Sequence, residues 1–329
     1  MTSPPGPRGG RSAAHASTAA DPNGHRPVLL GEIVDLLAPV SGQSVIDLTA
    51  GRGGHAVALG ASVGSAGVLT LFDRDPTNLS YASARVSAMP SAPRVQAIHA
   101  DFRSVGLMMP AGTPPANAVL ADLGFSSTQI DDPARGLAFS HDGPLDMRLD
   151  PTRGETAAQL VARLDERELA DIIFHYGEDP FARRIARNIA QTRARVPIST
   201  TGQLASLVRE SYGARAAASR LHPATRTFMA LRIAVNDELG ALEGLVAAVR
   251  DAALAAASGS PTWLAVGARV AIMSFHSLED RIVKRAFAQM IEAGWAESLT
   301  RKPVEASPAE VGANPRARSA KLRAVRLAC

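Results

Sequence analysis

The chain of 329 residues carries a single cysteine, and it is the last residue, Cys329. A lone terminal thiol excludes an internal disulfide and any cysteine-built metal cluster, and it fits a reducing compartment. The eight histidines are scattered, and no group of histidines and carboxylates shows ligand spacing, so no metal site is expected. Aromatic residues make up 4% of the chain, too few for extended platforms on which successive unpaired bases stack. No run approaches the roughly 20 uncharged apolar residues that a membrane span needs. Residues 1–24 lack the apolar core of a secretory signal, so a cytoplasmic protein with no membrane partner is expected. Excess charge is also scarce: the net charge is +4, which names no partner, although the arginine-heavy basic set leaves room for a polyanion.

What remains is 46% hydrophobic and 20% charged, the balance of a soluble globular protein long enough for about two domains. Residues 1–24 (MTSPPGPRGGRSAAHASTAADPNG) have almost nothing large and apolar to offset the entropy of ordering, and a disordered tail is expected there. From His25 strands and helices alternate. Helices are expected at Leu30–Leu37, after Gly54 and at Thr77–Ala88, with strands at Ser44–Leu48, Val68–Phe72, Val95–His99 and Ala118–Leu120, the last ending at Asp122. That alternation predicts an α/β fold with a doubly wound, Rossmann-like parallel sheet.

Between about residues 145 and 222 the strands stop. Leu160/Leu164, Leu169/Ile172/Ile173, Phe181/Ile185/Ile189 and Leu204/Leu207/Val208 each sit at helical spacing, with Ser199 or Thr200 as an N-cap for the last. An inserted all-α domain over 145–222 is expected, dividing the sheet domain into 25–144 and 223–329. In the second part, a long helix is expected from Ala224 with the stripe Phe228, Leu231, Val235, Leu239 and Leu242, then a strand Arg269–Ser274 and a basic C-terminal tail.

The stretch VIDLTAGRGGHA, residues 45–56, points to a ligand. An apolar strand delivers Asp47 and Thr49 to the carboxyl end of the sheet, and Gly51, Gly53 and Gly54 then allow close approach of a ligand to the backbone. Asp73, ending the next strand, is placed to hold a ribose by its hydroxyls. Nicotinamide dehydrogenases and S-adenosylmethionine (SAM) methyltransferases share this arrangement, because both ligands carry adenosine. The run VLADLGFSSTQIDD, residues 119–132, separates them: a fourth strand ends in Asp122, followed by Gly124 and two serines where the reacting end of a ligand would lie.

Together with HRPVLLGEIVDLL (25–37), HDGPLDMRLDP (141–151), HPATRTFMALRIAVNDEL (222–239), SFHSLEDRIVKRAF (274–287) and NPRARSAKLR (314–323), these blocks resemble the ribosomal RNA small-subunit methyltransferase H family, also called MraW. The resemblance runs in order from about His25 to Arg326, with Ala50 standing where many members have a larger apolar residue and Phe125 where valine is common. It implies a class I SAM-dependent methyltransferase sheet and SAM as cofactor. Gly53, Gly54, His55, Asp73, Phe102, Asp122 and Gln129 then bind the cofactor, with Phe102 covering the adenine. The implied substrate is the small ribosomal subunit or its RNA, the implied reaction N4-methylation of one cytosine in the decoding centre, and homodimerisation is left open.

The chemistry of the residues agrees. The N4 lone pair of cytosine is delocalised into the ring, so a catalyst must accept hydrogen bonds from the amine and hold it in line with the methyl group. Asp122 is the natural acceptor. His276, at the end of the last strand, is the second catalytic candidate, able to stack on the base or take the released proton; alternatively it is structural, beside a capping box of Ser277 and Asp280. His55 has a packing alternative at the helix start. Asp142, Asp146 and Arg148 of DGPLDMR would close over the base or tie the insert to the sheet by ion pairs. Thr225 and Arg226 either cap a helix or meet a phosphate. Arg183, Arg184, Arg187, Arg193 and Arg195, and in the tail Arg316, Arg318, Lys321, Arg323 and Arg326, are candidates for RNA phosphates or merely solvated faces. Two other classes stay in view. A nicotinamide oxidoreductase would leave DLGFSS and DGPLDMR unexplained, and a non-catalytic RNA-binding assembly factor would have no need of an intact cofactor set.

Overall fold

The computed structural model describes residues 26–218 and 222–328; the expected tail at 1–24 lies outside them. The elements, in chain order, begin with α1 (Leu30–Leu37), β1 (Ser44–Asp47), α2 (Gly54–Val63), β2 (Val68–Asp73), α3 (Pro76–Ser87), β3 (Arg94–His99), α4 (Val105–Met108) and β4 (Ala116–Asp122). A helical stretch follows: α5 (Ser127–Asp131), α6 (Ala157–Arg163), α7 (Glu166–Gly177), α8 (Ala182–Arg193), α9 (Thr201–Tyr212) and α10 (Ala224–Asn236). The chain then forms α11 (Glu238–Ala257), β5 (Leu264–Ser274), α12 (Ser277–Glu292), β6 (Ala296–Ser298), α13 (Pro308–Ala313) and β7 (Lys321–Leu327).

The seven strands form one sheet in the order β3-β2-β1-β4-β5-β7-β6. β1 to β5 pair in parallel, and β7 runs antiparallel between β5 and β6. The chain winds outward from β1 through β2 to β3 and then returns to place β4 on the other side of β1. That reversal opens a crevice at the carboxyl ends of β1 and β4, the usual ligand site of such a sheet. The doubly wound Rossmann-like fold read from the sequence is therefore present.

Strand alternation explains why both faces are covered. Val45, Leu69, Leu71 and Leu120 point to one face and pack with Leu29, Ile33, Val57, Leu59 and Val86 of α1 to α3 and their flanks. Ile46, Phe72, Val119 and Ala121 point to the other and meet Leu245 and Val249 of α11 and Val283, Phe287 and Met290 of α12. Burial on both faces gives β1 its unbroken apolar run, where a half-exposed strand would alternate.

The chain divides into two compact units, one of residues to Gly124 together with those from Leu242, the other of Phe125–Ala241. The second is all helical and has its own core of Leu160, Leu169, Ile173, Ile185, Ile189, Leu204, Val208, Phe228 and Leu231. Helices α6, α7 and α9 begin on reciprocal caps: Thr156 with Gln159, Asp165 with Glu168, and Thr200 with Gln203, the last on one of the two residues proposed from sequence. The insert expected at 145–222 lies inside a larger helical unit that begins at Phe125, takes in α5, and continues through α10, whose Ala224, Phe228 and Leu231 join the helical core.

Two expectations change. The long helix from Ala224 is two helices, broken at Asp237, whose φ of 48° places it in the left-handed region. The basic C-terminal tail is instead strand β7, whose Leu322, Ala324, Val325 and Leu327 are buried. Lys321, Arg323 and Arg326 concealed it, although Leu322 and Ala324 pack on one face of the sheet and Val325 and Leu327 on the other.

Candidate active site

The glycine turn is built around an acid from the next strand. Asp73 accepts hydrogen bonds from the Gly51 N–H (2.7 Å) and the Asp75 N–H (2.8 Å), so the end of β2 holds the turn after β1 in place. Gly53 has a φ of 73°, and a Cβ there would lie 3.1 Å from the Ala82 Cα. Any side chain would be both strained and crowded. Gly54 and His55 then open α2, whose first N–H groups lack partners within the helix and form a site suited to an anion.

Thr49 joins β1 to β4: its Oγ1 accepts the Asp122 N–H at 2.7 Å. Asp47, 1% exposed, accepts the Thr49 N–H with Oδ1 at 3.1 Å, while its Oδ2 is buried with no hydrogen-bond partner among the described residues. An orphaned buried carboxylate oxygen is costly and marks a place for a donor or a cation. Burial pushes the Asp47 carboxyl up to about 7, against the lowering effect of the Thr49 N–H bond and with a further push from Asp73. Asp73 is pushed up to about 6, again by burial first, with the Asp75 and Gly51 amides opposing. Asp122 stands well above the usual carboxylate range because of burial and then the charges of Asp47 and Glu279. Its side chain nevertheless keeps 25% of its exposure.

His55 is buried, with Nε2 2.9 Å from the Val28 carbonyl oxygen and Nδ1 3.4 Å from Asp122 Oδ2. Phe102 follows β3 in a single turn of 3-10 helix and packs half-buried against the sheet core. Gln129 belongs to the helical unit, where it is 6% exposed and its Oε1 accepts the Ser126 N–H at 2.8 Å in the capping box of α5.

His276 is the N-cap of α12, one residue earlier than the expected Ser277 and Asp280 box: its Nδ1 accepts the Glu279 N–H at 3.4 Å. Glu279 Oε2 returns to the Phe275 N–H at 2.8 Å, and Oε1 lies 3.3 Å from His276 Nε2. Asp280 instead clasps Arg323 of β7 through Nε–Oδ1 2.7 Å and Nη2–Oδ2 3.2 Å. That pairing removes Arg323 from the residues placed to meet phosphates, while Arg316, Arg318 and Arg326 remain exposed. In the helical unit Arg183, Arg184 and Arg195 are exposed, Arg187 lies 3.5 Å from Glu166, and Arg193 donates to the Val161 carbonyl.

The DGPLDMR block is bonded within the helical unit. Asp142 Oδ1 accepts the N–H groups of Gly202 (2.8 Å) and Gly143 (3.0 Å). Asp146 takes Arg148 in a two-point pair at 2.8 and 2.7 Å. Arg226 donates to the Glu178 carbonyl at 2.6 Å.

Sequence reading missed Glu279 as the acid facing Asp122. The signal was present as a cap residue with glutamate three positions on, but histidine is an uncommon cap and the box was assigned one residue late.

A profile of the MraW methylase family matches residues 23–328. The chain is 43% identical to the ribosomal RNA small subunit methyltransferase H of Acidobacterium capsulatum, over 91% of this chain and 97% of that protein. It is 44% identical to the protein of the same name from Symbiobacterium thermophilum, over 92% and 96% of the two chains. To that from Sorangium cellulosum it is 45% identical, over 92% and 90%. Matched from end to end of its described residues, the chain belongs to the MraW methylase family.

Proposed function

We propose that this protein is a cytoplasmic enzyme that methylates the exocyclic N4 of a single cytosine in small-subunit ribosomal RNA, cytosine 1402 in the usual numbering, with SAM as donor. The family and the names of its relatives support the reaction class. The observation that carries the reading is the acidic crevice edge, in which Asp47 Oδ2 is orphaned and Asp73 and Asp122 are pushed up by burial.

SAM fits that donor set. It carries an ammonium and a sulfonium, which suit unpaired buried carboxylates; ribose hydroxyls, which suit Asp73; and a carboxylate, which suits the N-terminus of α2. Gly53, Gly54, Asp73, Phe102, Asp122 and Gln129 are the residues proposed to hold it, while the His55 side chain of the same turn faces Val28 and Asp122. When bound it supplies an electrophilic methyl group. Asp73 orients by accepting hydroxyls, Gly53 leaves room for close approach, and Phe102 offers a flat apolar face. Asp122 accepts hydrogen bonds from the cytosine amine, localising the nitrogen lone pair and fixing its direction. The exposed Arg183, Arg184 and Arg195 of the helical unit, and Arg316, Arg318 and Arg326 near the C-terminus, are proposed to neutralise RNA phosphates. The target base would be turned out of its stack to reach the crevice. For His276 the capping geometry supports a role in holding the start of α12 beside Glu279, rather than direct action on the base.

The test uses purified protein, SAM labelled in the methyl group, and small ribosomal subunits from cells lacking this modification. Label at one site in the RNA is the expected result. Tight SAM binding with no label in RNA would favour the scaffold reading instead.

A further inference from the structure

The imidazole of His55 is engaged on both edges by groups of this chain. The Val28 carbonyl can only accept, so at 2.9 Å Nε2 must carry its proton whenever that bond is made. Nδ1 is then left facing Asp122 Oδ2 at 3.4 Å. The ring is buried, 6% exposed, and rests at the start of α2, where packing fixes its orientation. A polar contact from this ring to SAM would have to give up one of the two partners.

We propose that His55 and Asp122 form a dyad sharing one proton between Nδ1 and Oδ2, in which His55 is a positioning residue that keeps Asp122 ionised for the substrate amine. The proposal rests on the N4-methylation reading and gives His55 a different part from the cofactor contact implied by resemblance. Asp122 needs such a partner because the other charged groups facing it oppose its charge. Asp47 comes from the end of β1, backed by Asp73 from β2, and Glu279 comes from the start of α12, beside His276. With the shared proton on Nδ1, the imidazolium offsets those acids, and the second oxygen of Asp122 stays free of a proton. In the transfer, the N4 lone pair forms the bond to the methyl carbon as the sulfur–methyl bond breaks, its electron pair remaining on sulfur. The methylated amine, now positively charged, loses one proton to Asp122, and the crevice returns that proton to water.

The test is the pH dependence of single-turnover methyl transfer to small subunits by the wild type, His55→Gln and His55→Asn. Glutamine can keep a donor toward Val28 while placing nothing at Nδ1; asparagine places an amide near Nδ1. For His55→Gln the acid limb of the profile is expected to move up by one pH unit or more, so that transfer on that limb falls about tenfold and recovers at higher pH. SAM affinity should stay within about twofold, and His55→Asn should recover part of the rate. A rate reduced by one factor at every pH, or a loss confined to SAM affinity, would overturn the dyad. Should the variants fail to fold, or the wild type transfer no methyl group to RNA, nitrogen NMR of labelled histidine in the wild type and Asp122→Asn still decides. The expected result is an Nε2–H tautomer whose Nδ1 signal titrates, with its pKa lowered by about one unit or more in Asp122→Asn. A His55 titration indifferent to Asp122→Asn would overturn the proposal whatever the substrate.

Discussion

On the proposed reading, Asp73 makes cofactor binding a function of pH. Its carboxyl is pushed up to about 6, so near that pH about half of the free protein carries a proton there. Ribose hydroxyls donate to the ionised form and find a poorer acceptor in the protonated one. Affinity for SAM should therefore be level above about pH 7 and fall about tenfold by pH 5, roughly 1.4 kcal/mol, with a limiting slope of one decade per pH unit. Asp47, pushed up to about 7, adds a second, higher inflection if the cationic end of SAM meets its unpaired Oδ2. The assay is titration calorimetry from pH 5 to 8 in two buffers of different ionisation enthalpy. At pH 6 the Asp73 contribution should appear as about half a proton released per SAM bound. In Asp73→Asn the amide oxygen still accepts one hydroxyl, so binding should survive about 10- to 100-fold weaker, with the inflection near pH 6 gone. A dissociation constant that is flat from pH 5 to 8, or an inflection retained in Asp73→Asn, would refute the reasoning.

Four further outcomes follow from the geometry. Asp122→Ala should lower single-turnover transfer by about 100-fold or more, with a much smaller change in SAM affinity, as quench-flow and calorimetry would show. Gly53→Ala forces a Cβ at φ 73° to within 3.1 Å of Ala82, so thermal denaturation should show a loss of about 1–3 kcal/mol together with weaker SAM binding. Asp47 holds a proton in the native state from about pH 4 to 7 that the unfolded chain releases. Stability should therefore fall as pH rises from about 4 to 7 and level off above that, by up to about 4 kcal/mol from this group, and Asp47→Asn should flatten the curve in denaturant titrations. Asn236, 2% exposed, receives the Leu149 N–H at 2.7 Å and donates to the Met147 carbonyl at 2.8 Å. Asn236→Ala should cost the helical unit about 2–4 kcal/mol by chemical denaturation.

The sheet was legible because its central strands are short, apolar and separated by helices of clear period, and because Asp47, Asp73 and Asp122 each end a strand. The rest was hidden for specific reasons. β7 reads as a basic tail until its partners are known: Arg323 is spent on Asp280, and Arg326 faces outward on a strand whose neighbours are buried. In sequence the apolar spacing Phe228, Leu231, Val235 continues at Leu239 and Leu242, so periodicity alone runs through the break at Asp237. The ring of His55 could be placed at the turn from sequence, but its second partner, Val28, lies 27 positions back along the chain. Likewise, that Glu279 faces Asp122 depends on β4 and β5 being neighbours, which pairing through space decides.

The central claim is the identity of the atom that receives the methyl group. Small subunits lacking the modification, incubated with this protein and SAM carrying an isotopic methyl label, should yield after complete digestion and mass spectrometry a single labelled nucleoside, N4-methylcytidine, from one site. Label on any other nucleoside, or on a ring carbon of cytosine, would contradict the assignment of Asp122 as the acceptor facing an exocyclic amine.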